Sequence, residues 1–186
     1  MGKESTRDRI LAAAKELFYR EGIRSVGIDA IVTRARVTKP TLYYYFESKD
    51  ALVAAYLDER NGAILSSLAK TVEATPGKIE DRIAAIFESI AKATPNPRWK
   101  GCPIIRGAAE FAADPEHEVR RIASTHKKRV ELWLTQILKK AKIAGAALKA
   151  RQVGVLLDGA IIHAFMHGDP DYARAAGAAA RCLLRT

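Results

Sequence analysis

The amino-acid sequence predicts an all-α protein built from a series of amphipathic helices. Apolar residues recur at spacings of three and four, Gly and Pro clusters separate the segments, and no stretch has the strict alternation of a half-buried strand. The clearest separators are Thr75-Pro76-Gly77, Thr94-Pro95-Asn96-Pro97 and Gly168-Asp169-Pro170. A chain of 186 residues is long enough for a small domain followed by a larger one.

The first two helices are predicted near the N-terminus. One occupies the segment RDRILAAAKELFYREG, where Gly22 can take the left-handed conformation that ends a helix. Its apolar face consists of Ile10, Leu11, Ala14, Leu17 and Phe18. A second, short helix is predicted from Ile28 to Ala35, and Arg36-Val37 forms the turn that follows it. This arrangement places a supporting helix in front of two short helices.

The third helix carries the strongest functional signal. Thr38 is a favourable N-cap, and Pro40 is tolerated in a first helical turn, so the helix is predicted to begin near Lys39. No acidic residue lies between Asp29 and Glu47, and three consecutive tyrosines offer hydroxyls that can bond to phosphate oxygens. Two short helices joined by a tight turn make a helix-turn-helix, whose second helix enters the DNA major groove.

The residue pattern from Arg9 to Tyr56 resembles the N-terminal DNA-binding domain of the tetracycline-repressor (TetR) family of bacterial transcriptional regulators. The resemblance lies in IL.AA..LF...G from Ile10, I..I...A.V from Ile28 and TKPTLYYYF.SKD.L from Thr38. It implies DNA contacts at Thr38, Lys39, Pro40, Thr41, Tyr43, Tyr44 and Lys49. The expected partner is double-stranded DNA that carries a palindromic operator.

Gly27 departs from the family pattern. Many family members have a Thr or Ser at this position, which caps the second helix and contacts a phosphate. Glycine removes that hydroxyl, and we expect the backbone N–H of Ile28 to bind phosphate instead.

The remaining sequence predicts further helices to the end of the chain. They are expected from Ser48 to about Lys70, from Ile79 to Ala93, from Ile104 to Ala113, from Asp114 to about Ala144, from Leu148 to His167 and from Asp171 to Leu184. Residues 1–50 are therefore predicted to form the helix-turn-helix domain, and residues 51–186 a helical effector-binding and dimerisation domain. The helix after Ser48 would join the two and transmit a change between them.

The last two helices are rich in alanine and present small or apolar side chains on more than one face. Such helices must be covered on several sides, either inside the core of one chain or in a four-helix seam between two chains. The family resemblance favours the seam, and hence a homodimer whose two recognition helices read both halves of a palindrome. The predicted interface residues are Leu157, Ile161, Ala164, Ala176 and Ala179.

The resemblance also implies a small-molecule effector that binds within the C-terminal helices and releases the DNA. Because such sites are mostly apolar and aromatic, we expect a hydrophobic or aromatic effector. The candidate residues, each of which has a plain core role as its alternative, are Phe87, Trp99, Cys102, Arg106, Phe111, Trp133 and Phe165. Arg106 and Glu110 could bind a polar effector group or form an ion pair with each other one helical turn apart.

Other chemistries have little support in the sequence. His163 and His167 have a spacing compatible with metal binding, but the helix lacks a zincin glutamate and a third ligand. Cys102 and Cys182 show no metal-ligand spacing, and nothing in the sequence marks Cys102 as a reactive thiol. We find no catalytic constellation or phosphate-binding loop, so we predict no enzyme activity, cofactor or metal.

Charge and hydropathy constrain the partners. The net charge of +10 suits a polyanion, although much of it is explained by a solvated basic surface. No apolar run is long enough to span a membrane, and the N-terminus lacks a signal-peptide core, which predicts a cytoplasmic protein. The alternative function is an all-α small-molecule-binding protein whose basic region associates with anionic membrane surfaces.

Overall fold

The computed structural model describes residues 5–185, and these residues form helices with no strand. The all-α prediction is therefore confirmed. In chain order the helices are α1 (Thr6–Glu21), α2 (Ile28–Ala35), α3 (Lys39–Tyr45), α4 (Lys49–Ala74), α5 (Ile79–Ala93), α6 (Pro103–Glu110), α7 (Glu118–Lys140), α8 (Ala146–His167) and α9 (Asp171–Arg185). None of the helices in this part of the chain has the length and apolar composition needed to cross a bilayer.

The chain folds into two compact units. The first comprises residues up to 62 together with 102–124, and the second comprises 63–101 together with the residues from 125 onwards. The boundary predicted after residue 50 separates the DNA-binding domain from the effector-binding and dimerisation domain, and it stays a prediction. Residues 1–4 and residue 186 lie outside the described part of the chain. The prediction that the N-terminus lacks a signal-peptide core falls partly on these residues.

The first unit is built around the predicted apolar face of α1. All five predicted residues of that face are buried, and the ring of Phe18 lies 5.5 Å from that of Tyr56 on α4. Ser5 caps α1 by accepting a hydrogen bond from the Asp8 N–H, and Gly22 ends the helix with a φ of 97°. Gly107 allows α6 to pack closely, since a Cβ there would lie 3.2 Å from Ile23.

The second unit is held together by α5, α8 and α9. Gly177 on α9 lies directly against Phe87 on α5, because a Cβ added to this glycine would be 2.8 Å from the Phe87 Cβ. Alanines fill the neighbouring positions, and Ala150, Ala164 and Ala180 have no exposed surface. Small side chains therefore permit close helix packing inside this unit.

The boundaries of α7 differ most from the prediction. Asp114 was expected to cap this helix, but it precedes Pro115 and its carbonyl accepts from the His117 N–H in a separate turn. The helix begins at Glu118, where His117 Nδ1 accepts the Val119 N–H at 3.2 Å. It ends at Lys140 instead of near Ala144, because Lys142 adopts a left-handed conformation with a φ of 60°.

The other helix ends shift by one to four residues. The fourth helix continues to Ala74, so it is longer than predicted and stops at the Thr75-Pro76-Gly77 separator. The sixth ends at Glu110 instead of Ala113, and the eighth starts at Ala146, immediately after Gly145 with a φ of 65°.

Candidate functional site

Helices α2 and α3 form the predicted helix-turn-helix. The turn contains Arg36 in a left-handed conformation (φ 54°, ψ 50°), and Arg36 and Val37 donate backbone hydrogen bonds to carbonyls in the last turn of α2. Thr38 caps α3: its Oγ1 accepts the Thr41 N–H at 3.3 Å and lies 2.8 Å from the Thr41 hydroxyl. These local bonds fix where α3 begins and how its first turn is presented.

The third helix is anchored by one residue and exposes most of the others. Leu42 is its only buried residue, and Phe46 is buried directly after it. Tyr43 and Tyr44 are both exposed, the latter by 83% of its surface. Thr38, Lys39 and Pro40 are exposed and Thr41 is half-buried, so the contact residues predicted from Thr38 to Tyr44 lie on one short, accessible segment. Their contact with DNA remains a prediction.

The cationic side chains of this surface have different environments. Lys39 Nζ lies 2.8 Å from Asp29 Oδ1, and this hydrogen bond raises the pKa of Lys39. Lys49, the first residue of α4, is half-buried, and its partial burial lowers its pKa against the opposing effects of Asp50 and Glu110. The ion pair between α2 and α3 brings an acid to the recognition surface, which the sequence analysis did not foresee.

The start of α2 lacks a capping side chain, as expected from Gly27 at the position where many family members have Thr or Ser. Gly27 occupies the N-cap position with extended backbone angles and no side-chain hydrogen bond, and Ile28 is the first helical residue. A Cβ at Gly27 would meet no atom within 4 Å. A larger capping side chain would therefore fit without displacing its neighbours.

Three of the predicted effector residues belong to the first unit. Cys102 is half-buried at the N-cap of α6, and Phe111 at the other end of this helix stacks on His117 with a ring separation of 3.9 Å. Arg106 donates to the Tyr19 carbonyl at 2.8 Å, whereas Glu110 accepts the Arg24 N–H. Instead of pairing with each other, Arg106 thus bonds to the last turn of α1 and Glu110 bonds to the segment that follows it.

The other four predicted effector residues belong to the second unit, where they occupy three separate places. Trp99 contacts Phe165 edge to face, with ring centroids 6.4 Å apart. Trp133 lines a cavity of about 380 Å³ together with Ile79 and Arg82. Phe87 has no exposed surface and packs against Gly177, which agrees with the core role that is its alternative.

The predicted dimer residues do not share one face. Leu157 and Ala164 are buried in the core of the second unit. Ile161 and Ala176 are half-buried, and Ala179 is exposed. Four of the exposed apolar residues of α8 form a stripe at helical spacing, namely Leu148, Val155, Ile162 and Met166, and Phe165 is exposed as well. Which of these residues form an interface between two chains remains a prediction.

The two histidines considered for metal binding stack on a tyrosine. The rings of His163 and His167 lie 5.9 Å apart, and each stacks on Tyr172 of α9. Within residues 5–185 no group of three or more potential metal ligands occurs. Cys102 and Cys182 are both free thiols.

Comparison with known proteins agrees with this geometry. Residues 10–56, which include α2 and α3, match the model of a protein family whose description is "Bacterial regulatory proteins, tetR family". The crystal structure of SCO4454, a TetR-family transcriptional regulator from Streptomyces coelicolor, is similar at 31% sequence identity with a TM-score of 0.84. That similarity covers 97% of this chain and 94% of the other.

Two curated relatives have named regulatory roles. The HTH-type transcriptional repressor NemR of Escherichia coli strain K12 is 25% identical over 75% of this chain and 70% of its own. The HTH-type transcriptional activator FasR of Mycolicibacterium smegmatis is 32% identical over 47% of this chain and 42% of its own. With the near-complete similarity to SCO4454 and the match to the family model, these findings show that the chain is a transcriptional regulator of the TetR family.

Proposed function

We propose that this protein is a cytoplasmic homodimeric repressor that binds a palindromic DNA operator and is released from it by a small organic effector. The observation that supports DNA binding best is the exposed N-terminal half of α3, which is capped by Thr38 and carries accessible hydroxyl and amino groups. Threonine and lysine side chains can reach base edges, whereas Tyr44 and Lys49 are suited to phosphates. This one segment would therefore supply both sequence reading and phosphate binding.

The repressor role is favoured by the relative that covers more of the chain. NemR is named a repressor and matches three quarters of this chain, whereas FasR is named an activator and matches less than half. A repressor needs only to occupy its operator and to leave when the effector binds. In this proposal the protein itself performs no catalytic step.

A homodimer is supported by the exposed apolar surface of the last two helices. The stripe on α8 includes Val155 and Ile162, and α9 adds Tyr172 and the small residue Ala179. An apolar patch of this kind is typical of a protein interface. Pairing two chains about a twofold axis would allow two recognition helices to enter successive major grooves, about 34 to 36 Å apart.

The effector would act by shifting the dimer population. A ligand that binds better to a dimer with more widely spaced recognition helices reduces operator affinity in proportion to its preference for that state. Within the second unit, the contact between Trp99 and Phe165 and the cavity beside Trp133 offer apolar surface to an organic molecule. In the first unit, Cys102, Arg106 and Phe111 remain candidates.

The DNA-binding part of this proposal is tested by selecting duplexes from a random pool and measuring affinity for the selected sequence and for a shuffled one. The proposal predicts tighter, salt-dependent binding of the selected duplex and two half-sites related by a palindrome. Anionic vesicles are the comparison. Strong vesicle binding with no DNA sequence preference would favour the membrane-surface alternative and contradict the proposal.

The effector part is tested by releasing the selected duplex with screened organic compounds. Trp99→Ala should change the release midpoint several-fold, because allosteric coupling energies are typically about 1 to 3 kcal/mol. Trp133→Ala provides the comparison for the cavity beside Trp133. Thermal melting confirms that each variant folds. Release midpoints that match the unmodified protein in both variants would remove these tryptophans from the effector site.

A further inference from the structure

An unusual group of polar side chains lies within the first unit, where α1, α4 and α6 meet. We call it the Tyr19 cluster, and it consists of Tyr19, Tyr56, Arg60 and Arg106, while Asn61 follows Arg60 in the chain. The guanidinium carbons of Arg60 and Arg106 lie 5.4 Å and 5.9 Å from the centre of the Tyr19 ring. Two cations are thus held against the same aromatic ring, which attracts each of them through its quadrupole.

The positive charge of this cluster is not balanced by a carboxylate. Arg106 donates to the Tyr19 carbonyl, and within residues 5–185 neither arginine forms an ion pair. The nearest acids in sequence have other partners, since Glu59 pairs with Lys15 and Glu110 accepts the Arg24 N–H. The cluster therefore retains two formal positive charges.

Tyr56 does not supply the missing negative charge. Burial raises the pKa of its hydroxyl to about 12, and this effect outweighs the lowering by the two nearby arginines. The phenol is therefore neutral and protonated at physiological pH, and it can donate a hydrogen bond. An anion placed beside the arginines would meet no repulsion from this side chain.

Two buried polar atoms of α4 also lack partners. Asn61 is only 5% exposed, and neither its Oδ1 nor the Nε of Arg60 has a hydrogen-bond partner in the described part of the chain. A buried donor or acceptor without a partner destabilises the folded state, and such groups in native proteins require an explanation. Here one donor and one acceptor remain open on consecutive residues of one helix.

We propose that the Tyr19 cluster binds the acidic group of the effector, which is a small hydroxy-carboxylic acid. Its carboxylate accepts hydrogen bonds from Arg60 and Arg106, and its hydroxyl donates to Asn61 Oδ1. Guanidinium groups suit this role because their planar donors match the geometry of a carboxylate. This inference rests on the proposed function, since it names the chemical class of the effector, and it goes beyond the apolar character expected from the sequence.

The test is a thermal-shift and calorimetric titration of the full chain with 3-hydroxybenzoate, mandelate and 3-hydroxyoctanoate. Each acid is compared with its methyl ester, which removes the charge, and with its methoxy acid, which removes the hydrogen-bond donor. Inorganic phosphate is added as a separate arm. We expect at least one hydroxy acid to bind tenfold or more tightly than its ester, its methoxy acid and phosphate.

Charge-removing variants locate the site. Arg60→Gln and Arg106→Gln should each weaken the bound acid tenfold or more, whereas Arg20→Gln should not, because Arg20 is exposed and pairs with Glu21. Asn61→Leu should abolish the preference for the hydroxy acid over the methoxy acid while carboxylate binding persists. That loss of selectivity is a result that a purely structural role of Asn61 would not produce.

Several results would overturn the proposal. They are equal binding of acids and esters, equal binding of phosphate, unchanged acid affinity in both arginine variants, or no response to any of the three acids. Duplex binding by the effector-free protein is measured in parallel. Intact duplex binding without an acid response removes only the acid site, whereas absent duplex binding would refute the proposed function itself.

Discussion

The burial of His126 makes a quantitative prediction about pH. His126 lies on α7 in the second unit with 2% of its surface exposed, and burial, aided by the charges of Lys127 and Arg129, lowers its pKa to about 4. The ordinary value is 6.5, so the unfolded chain binds this proton more readily than the folded chain between the two values. Stability is therefore fully present above pH 6.5 and is lost as the pH falls towards the folded-state pKa.

The two pKa values determine the size of the effect. Their difference limits the contribution of His126 to about 3 kcal/mol of unfolding free energy. Lowering the pH from about 7.5 to about 5 should remove about 2 kcal/mol of this through His126 alone. For a chain of this size, that corresponds to a fall in melting temperature of about 4 to 8 °C.

The assay is urea unfolding at a series of pH values and at one fixed protein concentration, because oligomerisation makes apparent stability depend on concentration. His126→Leu removes the titrating group and should flatten the dependence between pH 7.5 and 5 by about 2 kcal/mol. His163→Gln, which alters an exposed histidine, is the matched control. The same pH dependence in His126→Leu and in the unmodified protein would refute the reasoning.

Three further predictions concern packing, capping and association. Gly177→Ala should destabilise the protein by about 1 to 3 kcal/mol in urea unfolding because its Cβ has no room, whereas Gly154→Ala, at an open helical position, should be neutral or stabilising. Equal effects of the two would contradict the packing at α9. Gly27→Thr should increase DNA affinity several-fold for all duplexes by restoring a hydroxyl at the start of α2; an unchanged affinity in anisotropy titrations would argue against phosphate binding there. Ala179→Glu should shift the sedimentation equilibrium towards monomer without lowering protomer helicity, and an unaltered dimer would exclude this face of α9.

The helix-turn-helix could be predicted closely because its signals are local. The Thr38 cap, Pro40 in the first turn and the run from Ile28 to Ala35 each constrain a few neighbouring residues, and α2 and α3 begin where predicted. The apolar face of α1 was also predicted correctly, because the spacing of its apolar residues allows only one buried face. Such elements depend little on the rest of the chain.

The buried and exposed faces of α8 could not be predicted in the same way. This helix has small or apolar side chains all round, so periodicity does not distinguish the side that packs on α5 and α9 from the side that faces outward. Ala164 and Val155 look equally suitable in the sequence, but the structure buries the first and exposes the second. The choice depends on packing partners that are distant along the chain.

The contacts of the candidate site residues also depend on partners that are distant along the chain. The sequence showed Arg106 as a candidate for a polar effector, but it does not indicate that Arg60 and Arg106 lie against the same tyrosine ring or that the buried Asn61 Oδ1 has no hydrogen-bond partner. It also did not reveal the ion pair between Asp29 and Lys39. These contacts join residues on different helices, and the spacing within one helix does not encode them.

The central claim, that the segment from Thr38 to Lys49 binds operator DNA, is tested most directly by anisotropy titrations of a selected duplex at several salt concentrations. Tyr44→Phe should cost about 1 kcal/mol for all sequences, and Lys49→Ala should also reduce the slope of log affinity against log salt by about 1. Thr41→Ala should instead change the relative affinities for altered half-sites. If all three variants kept the affinity, salt slope and sequence preference of the unmodified protein, this segment would not be the DNA-binding surface.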